Sequence, residues 1–522
     1  MRKGRMLFFL FLVQALPGAC PLPAARAQDP APTVKAAYTG RPMKVDLSTS
    51  LSKAFYLLLV SARPGPTPTP FGNLQVGLPF WVLGSGTTGP AGKASLEVPV
   101  PADRALAGGK IYLAALFADN SGPVPRVRFS GRKDLTLSGP LALVSCGASP
   151  PMARPAVVFA DLLSMKAAGE IVLPANPTQV VTDRFGTKGF VAAGKNLYVL
   201  DIPARKVSLT IRTTVKTNFT VLRRDLGGKW CFALAPGTTS LPKPSPGEVV
   251  ALDMEKLTAR GPITLSSQAL DVVPAPPVGR AWAVTRKDRM VHLLDFLQGK
   301  ILKSVQVGRK GETQAFAARA AGAALEVSTG DWGGAKPATL GSITEVDPRG
   351  NAGTPLPLAP YPSLLAPYRL GTSWFLLAAC TWQGGSFTPS LHVLAASPLR
   401  SLGTIAGSWK PGANAMEASP VLPAAGILWS GNPGYPHTGF LKNGTLVLVD
   451  LSTRKVRSVL TLPKLYQTSL HAVNNPTWPA FLYCEKAGLW FGAKLRALDI
   501  PSGKVVKAQV DLGRPALSIT DI

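Results

Sequence analysis

Three observations predict an all-β chain. A strand–turn–strand motif recurs eight times in the last three-quarters of the 522 residues, short apolar runs are cut by turn residues throughout, and glycine (51) and proline (50) are abundant without a Gly-X-Y period. Further strand-like pieces precede each recurrence, giving about four strands per unit. The expected architecture is therefore an eight-bladed β-propeller, with seven blades as the alternative, behind a small antiparallel β-sandwich. Hydrophobic residues make up 46% and charged residues 16%, enough apolar material to bury cores and to exclude wholesale disorder.

The first element is a signal peptide over 1–27. Arg2, Lys3 and Arg5 form a basic start, Met6 to Leu16 an apolar run too short to span a bilayer, and Ala25-Arg26-Ala27 an A-x-A cleavage site. The alternative is lipidation at Cys20, which the preceding Leu16-Pro17-Gly18-Ala19 fits poorly. The chain is thus expected to be exported to the periplasm, cell surface or exterior. Losing 1–27 removes four basic residues and no acidic one, which takes the net charge from +28 to +24. Such an excess favours polyanionic partners. The cations are spread one or two per hairpin, however, and the clustered stripe typical of nucleic-acid binding is missing.

Residues 28–36 are a Pro/Ala-rich leader. Over 37–139, apolar runs at 54–60, 77–83, 94–100 and 111–117 alternate with turn-forming stretches at 64–68 and 84–89, a spacing that predicts a small sandwich. The stretch from Phe71-Gly72-Asn73-Leu74 through Pro79, and that from Ala105-Leu106-Ala107-Gly108 through Ala115, are weakly similar to an accessory module of bacterial secreted proteins. That resemblance implies no particular chemistry.

From 140 to 522 the unit is an apolar strand ending in Asp, a short turn, and a second strand often led by Lys. The Asp positions are 161, 201, 253, 295, 347, 450 and 499, with Ala396 in the sixth place. Repetition at every hairpin marks the Asp as structural, its carboxylate accepting N–H groups of the turn. A final strand near Ala516–Thr520 has no hairpin partner and is placed to complete the first blade, which would close the ring and hide two sheet edges. The Leu197-Tyr198-Val199-Leu200-Asp201 and Arg205–Ile211 pattern resembles the YVTN/WD40-like propeller superfamily over residues 140–522, although the Gly-His and Trp-Asp dipeptides of true WD40 repeats are missing.

Catalytic signals are sparse. There is no H-E-x-x-H, G-x-S-x-G, P-loop or C-x-x-C, so neither a metal nor a cofactor is expected. Cys146, Cys231, Cys380 and Cys484 are far apart with apolar neighbours, as buried free thiols are. His292 and His392 share one in-strand packing position, and Trp230, Trp282, Trp374 and Trp490 fall in strands. The candidate binding face is instead the loops between second and third strands, which are long in three consecutive blades. They carry Trp332, Trp382, Phe387, Tyr435 and His437, with Arg286 and Arg289 in a shorter neighbouring loop and Trp409 in a connection reaching the same side. Aromatics with nearby cations suit an extracellular protein or a polysaccharide. The expected role is non-catalytic binding or scaffolding by a monomer. The alternative is a propeller lyase, hydrolase or quinoprotein, which a channel cluster of Asp/Glu with His or Arg would favour.

Overall fold

The computed structural model describes residues 28–69, 72–119, 126–148, 154–225, 227–238, 244–331, 341–380, 389–407, 413–429, 444–462, 470–486, 493–512, 514 and 516–521. The chain divides into two compact units, 1–139 and 140–522. No described helix is long and apolar enough to cross a membrane.

The first unit is built on one sheet. Its strands run in the order Ala37–Tyr38, Lys133–Ser138, Lys110–Asp119, Phe55–Ser61, Phe80–Thr87, and Arg126–Phe129 also pairs with Lys110–Asp119. A separate two-stranded sheet, Pro42–Ser48 with Lys93–Pro99, buries Met43, Val45, Leu47 and Val98 against Tyr56, Leu58, Leu113, Ala115 and Phe117 of one face of the larger sheet. The hairpin Pro64–Thr69 with Gly72–Val76 places Leu74 and Val76 against Leu59, Ala114 and Phe129 on the other face. The sheet is therefore clasped from both sides, and it is not wholly antiparallel, because Ala37–Tyr38 pairs in parallel with Leu137–Ser138.

Two sequence expectations in this unit are corrected. The stretch 64–68, expected as a turn, is half of a strand pair, because a two-stranded edge tolerates residues that cannot donate to a ladder. Conversely, the strand expected at 77–83 begins only at Phe80 and runs on through Gly84-Ser85-Gly86, expected as a turn. Those glycines allow close approach: a Cβ on Gly86 would sit 2.7 Å from the Tyr56 hydroxyl, and one on Gly84 2.9 Å from Leu96. The 28–36 stretch is also packed within this unit. Asp29 is 5% exposed, accepts a 2.6 Å hydrogen bond from Thr49 and lies 3.6 Å from Arg128.

In the second unit, eight sheets of four strand positions follow one another among the described residues. In sheets 2 to 8 the innermost strands are Pro177–Thr182, Val221–Arg224, Ala269–Ala275, Gln314–Ala321, Pro362–Leu370, Ala413–Ala418 and Leu470–Ala472. Sheet 1 takes Leu141–Cys146, Ala156–Asp161 and Lys166–Val172 from its beginning and Ala516–Asp521 as its innermost strand. Each innermost strand contacts the next, and Ala516–Asp521 touches both Leu470–Ala472 and Pro177–Thr182, so the eight form a closed ring around a channel.

The middle strands explain the apolar runs. Trp230–Ala235 and Glu248–Asp253 are buried along their whole length, because a neighbouring sheet covers each face, whereas outer strands such as Lys455–Leu462 alternate exposed and half-buried positions. Between sheets 2 and 3 the core holds Phe190, Val199, Phe219, Leu222 and Leu252, and between sheets 8 and 1 it holds Val144, Cys146, Leu482, Cys484 and Ile519. All four cysteines are buried and free, as expected. Trp230 and Trp282 are buried and Trp374 is half-buried, while Trp490 lies outside the described residues.

The recurring Asp does what its position suggests. Asp161 accepts from the N–H groups of Leu163 and Ser164, Asp253 from Glu255 and Lys256, Asp295 from Leu297 and Gln298, and Asp450 from Ser452 and Thr453. Burial alone would raise the Asp295 carboxyl. The N–H of Gln298, the Arg280 guanidinium and the N–H of Leu297 outweigh it and hold the group below the usual range.

Sheet 5 departs from the pattern. Its middle strands, Ala324–Gly330 and Gly341–Val346, bury Glu326, Ser328, Thr329, Ser342 and Thr344. Glu326 stands directly opposite Glu345 across the strand pair. It is 0% exposed; one oxygen accepts from the Ala321 N–H at 3.0 Å, and the other has no partner. Desolvation, and secondarily the neighbouring Glu345, push its carboxyl up to about 9, so the group is protonated at neutral pH.

Candidate functional site: the loop end and the channel

Antiparallel sheets fix which connections share an end of the ring. The links between second and third strands, and those from each outer strand to the next inner strand, emerge together; the Asp turns lie at the opposite end. The aromatic candidates Trp332, Trp382, Phe387, Trp409, Tyr435 and His437 lie outside the described residues. Arg286 and Arg289 are described, and both sit in the link between the second and third strands of sheet 4.

That link is fastened to the connection between sheets 4 and 5. Val307 N–H donates to Arg289 O at 3.0 Å, Ala315 N–H to Arg286 O at 2.8 Å, and Arg289 Nη1 to Arg309 O at 2.9 Å. The pairing gathers Arg286, Lys287, Arg309 and Lys310, all exposed, with the half-buried Arg289. None of the four exposed cations has an ion-pair partner among the described residues. The acids interspersed with them are engaged elsewhere. Asp288 accepts from the hydroxyls of Ser266 at 2.7 Å and Ser267 at 2.8 Å, and Glu312 from those of Thr329 at 2.7 Å and Ser342 at 3.0 Å. This corner is therefore a cationic surface whose local acids are internally committed. Sequence reasoning found Arg286 and Arg289 but missed Arg309 and Lys310, which become neighbours only through the backbone bonds joining the two connections.

Beside the corner, Ser266 Oγ lies 3.0 Å from His292 Nε2, whose Nδ1 lies 2.7 Å from Ser304 Oγ. The arrangement has the outline of a nucleophile with its base. Proton accounting argues against that role. The 2.7 Å contact with the Asp288 carboxylate needs the Ser266 proton, so His292 donates to Ser266 through Nε2 and accepts from Ser304 at Nδ1. Burial lowers the His292 imidazole below its usual value, against the opposing pull of Asp288, in keeping with a neutral ring. His292 packs, as expected from its strand position. His392, half-buried and 2.9 Å from Ser390 Oγ, does the same.

The innermost strands carry a second set of charges. Asp271 of sheet 4 receives Arg319 of sheet 5 at 2.7 Å and Arg223 of sheet 3 at 3.2 Å. Across the channel, His471 Nε2 lies 2.9 Å from Asp521 and its Nδ1 3.7 Å from Glu417, joining sheets 7, 8 and 1. Asp521 also accepts from Asn474 N–H, and Glu417 from Ala472 N–H. His471 lies within an innermost strand. No local signal exposes this set, since its members are about 50 residues apart and meet only in the ring. Among the described residues no group of three or more His, Cys, Asp or Glu side chains is arranged to hold a metal ion.

These sheets define the class of protein: residues 140–522 form a β-propeller. Among solved structures the chain is similar to dihydro-heme d1 dehydrogenase NirN, at 16% identity and a TM-score of 0.52, over 73% of this chain and 74% of that one. It is also similar to the RRP9 WD40 repeats, at 10% identity and a TM-score of 0.42 over 66% and 93%, and to a eukaryotic initiation factor, at 10% and 0.45 over 73% and 97%. At 16% identity the likeness to NirN is one of fold alone. No protein-family profile matches the chain, and no curated protein matches its sequence.

Proposed function

We propose that this is an exported, monomeric, eight-bladed propeller protein that binds an extracellular anionic polymer, a carboxylated or sulfated polysaccharide, without transforming it. The observation that carries the reading is the corner formed by Arg286, Lys287, Arg309 and Lys310, where four exposed cations stand together with the nearby acids bound up by Ser and Thr hydroxyls. Clustering like charges that form no ion pairs disfavours the free protein and favours an anionic partner. An acidic protein surface is the other partner such a corner suits.

The test is binding of the purified mature chain to arrays of acidic polysaccharides at low and high salt. The wild type binds, more weakly as salt rises, and the Arg286→Glu/Lys287→Glu variant loses at least tenfold in affinity with an unchanged melting temperature. A Trp332→Ala/Trp382→Ala variant reports whether the longer loops contribute. Equal binding by the charge-reversed variant would overturn the corner's role.

One observation favours the second reading, a propeller enzyme acting on a sugar or acidic polymer: Asp271, Glu417 and Asp521 meet Arg223, Arg319 and His471 along the channel. Shortening of the bound polymer over time, abolished by Glu417→Gln, would replace the binding reading with this one.

A further inference from the structure

Asp271 is asked to neutralise two guanidinium groups at once. Its Oδ2 takes Arg319 Nη1 at 2.7 Å and Arg223 Nη2 at 3.2 Å, while its Oδ1 takes the N–H of Val272 at 2.8 Å. One negative charge thus faces two positive ones, and the carboxylate has no oxygen left over. Arg319 also donates to Ala318 O at 2.7 Å.

A guanidinium has five N–H donors, so each arginine keeps several that no described acceptor takes. Their side chains are 38% and 30% exposed for Arg319 and Arg223, although both stand on innermost strands, so water in the channel reaches them. The Asp271 side chain itself is 9% exposed. The other charge that acts on Arg319 is Glu417, two sheets further round the ring and itself held by Ala472 N–H at 2.7 Å. Desolvation, followed by repulsion from Arg223, lowers the Arg319 guanidinium from its ordinary value, against the opposing pull of Asp271 and Glu417.

We propose that the channel wall between Arg223 and Arg319 is a binding site for a small oxyanion, a carboxylate or a phosphate. Both guanidinium groups converge on one carboxylate oxygen, so their Nη atoms lie no farther apart than contacts of 2.7 Å and 3.2 Å to a shared atom allow. An anion with two or more oxygens spans that gap and accepts from the free N–H groups of both, in the forked geometry that arginine offers to carboxylate and phosphate. The inference is independent of the loop-end reading, because the residues are different and the ligand is a small ion.

The experiment is isothermal titration of the mature chain with inorganic phosphate and, separately, with succinate at fixed ionic strength. The proteins are the wild type, Arg319→Gln, Arg319→Lys and Arg286→Glu/Lys287→Glu. One saturable equivalent is expected for the wild type and the loop-end variant alike. Affinity falls at least tenfold in Arg319→Gln and severalfold in Arg319→Lys, which keeps the charge and loses the fork. The tighter of the two probes identifies the oxyanion class. If Arg319→Gln fails to fold by circular dichroism, Arg319→Lys carries the test. Undiminished binding in the folded Arg319 variants, loss in the loop-end variant instead, or no saturable binding in the wild type would each overturn the site.

Discussion

Replacing Glu326 by Gln makes the protein more stable at pH 8 and flattens the pH dependence of its stability. In the folded chain this carboxyl titrates near 9, against 4.5 when unfolded. Between those values the native state holds a proton that the unfolded state has released, so this group's contribution to stability is greatest below pH 4.5 and is lost as pH rises toward 9. The slope is about 1.4 kcal/mol per pH unit, or about 3 kcal/mol between pH 5 and pH 7, a sizeable share of a typical folding free energy of about 5–15 kcal/mol. The proton belongs to the Glu326–Glu345 pair as much as to one residue, so Glu345→Gln should flatten the same slope in part. In Glu326→Gln the amide oxygen still accepts from Ala321 N–H, and its NH2 carries no charge to desolvate. The assay is urea unfolding of wild type and variant at pH 5, 6, 7 and 8, followed by tryptophan fluorescence. Subtracting the two curves cancels every other titrating group. Parallel pH profiles, or a variant less stable than wild type at pH 8, would refute the reasoning.

The Asp turns and the thiols give two further tests. Asp450 accepts from two N–H groups and the Ser452 hydroxyl, so Asp450→Ala should cost about 1–2 kcal/mol at neutral pH by calorimetry. Burial raises this carboxyl, but the hydrogen bonds from Ser452 and Thr453 outweigh it and leave the group below its ordinary 3.8. The penalty should therefore be full above pH 3.8 and shrink as pH falls further; a penalty that grows on acidification would refute the turn role. Burial pushes Cys146 and Cys380 up to about 12 and raises Cys231 and Cys484 as well, so a thiol reagent at pH 8 should label none of the four in the folded protein and all four after unfolding. Labelling of native protein faster than it unfolds would contradict the packing.

The hairpins were legible because each one is local. The Leu-Asp-turn-Lys signature needs only a strand period, a carboxylate and four or five turn residues, all adjacent in sequence. Ring closure by the final strand was legible too, since an unpartnered apolar strand must find an edge. What could not be read was whatever depends on register between distant segments. Gly84 and Gly86 looked like turn residues, because nothing near them announces Tyr56 or Leu96. The acids of sheet 5 looked like one more Asp-terminated strand, because Glu345 alternates as an exposed residue would, and only pairing sets it opposite Glu326. The corner at the loop end was half legible: Arg286 and Arg289 lie in a recognisable loop, but Arg309 and Lys310 are brought there by backbone bonds, and the channel charges come from five sheets and the closing strand.

The closing strand gives the second unit a topology without a privileged beginning. Ala516–Asp521 fills the place inside Leu141–Cys146, so the two ends of the unit are knit into a single sheet. Every sheet then has a neighbour on each side. Cutting the chain in any exposed link between sheets, and joining the old ends through a short tether, would preserve every strand pair of the ring. Such permuted chains should reach the same fold, while the order in which their strands become available changes. The feature that distinguishes one sheet from the next is thus the chemistry carried on its loops and inner strand, not its place in the sequence.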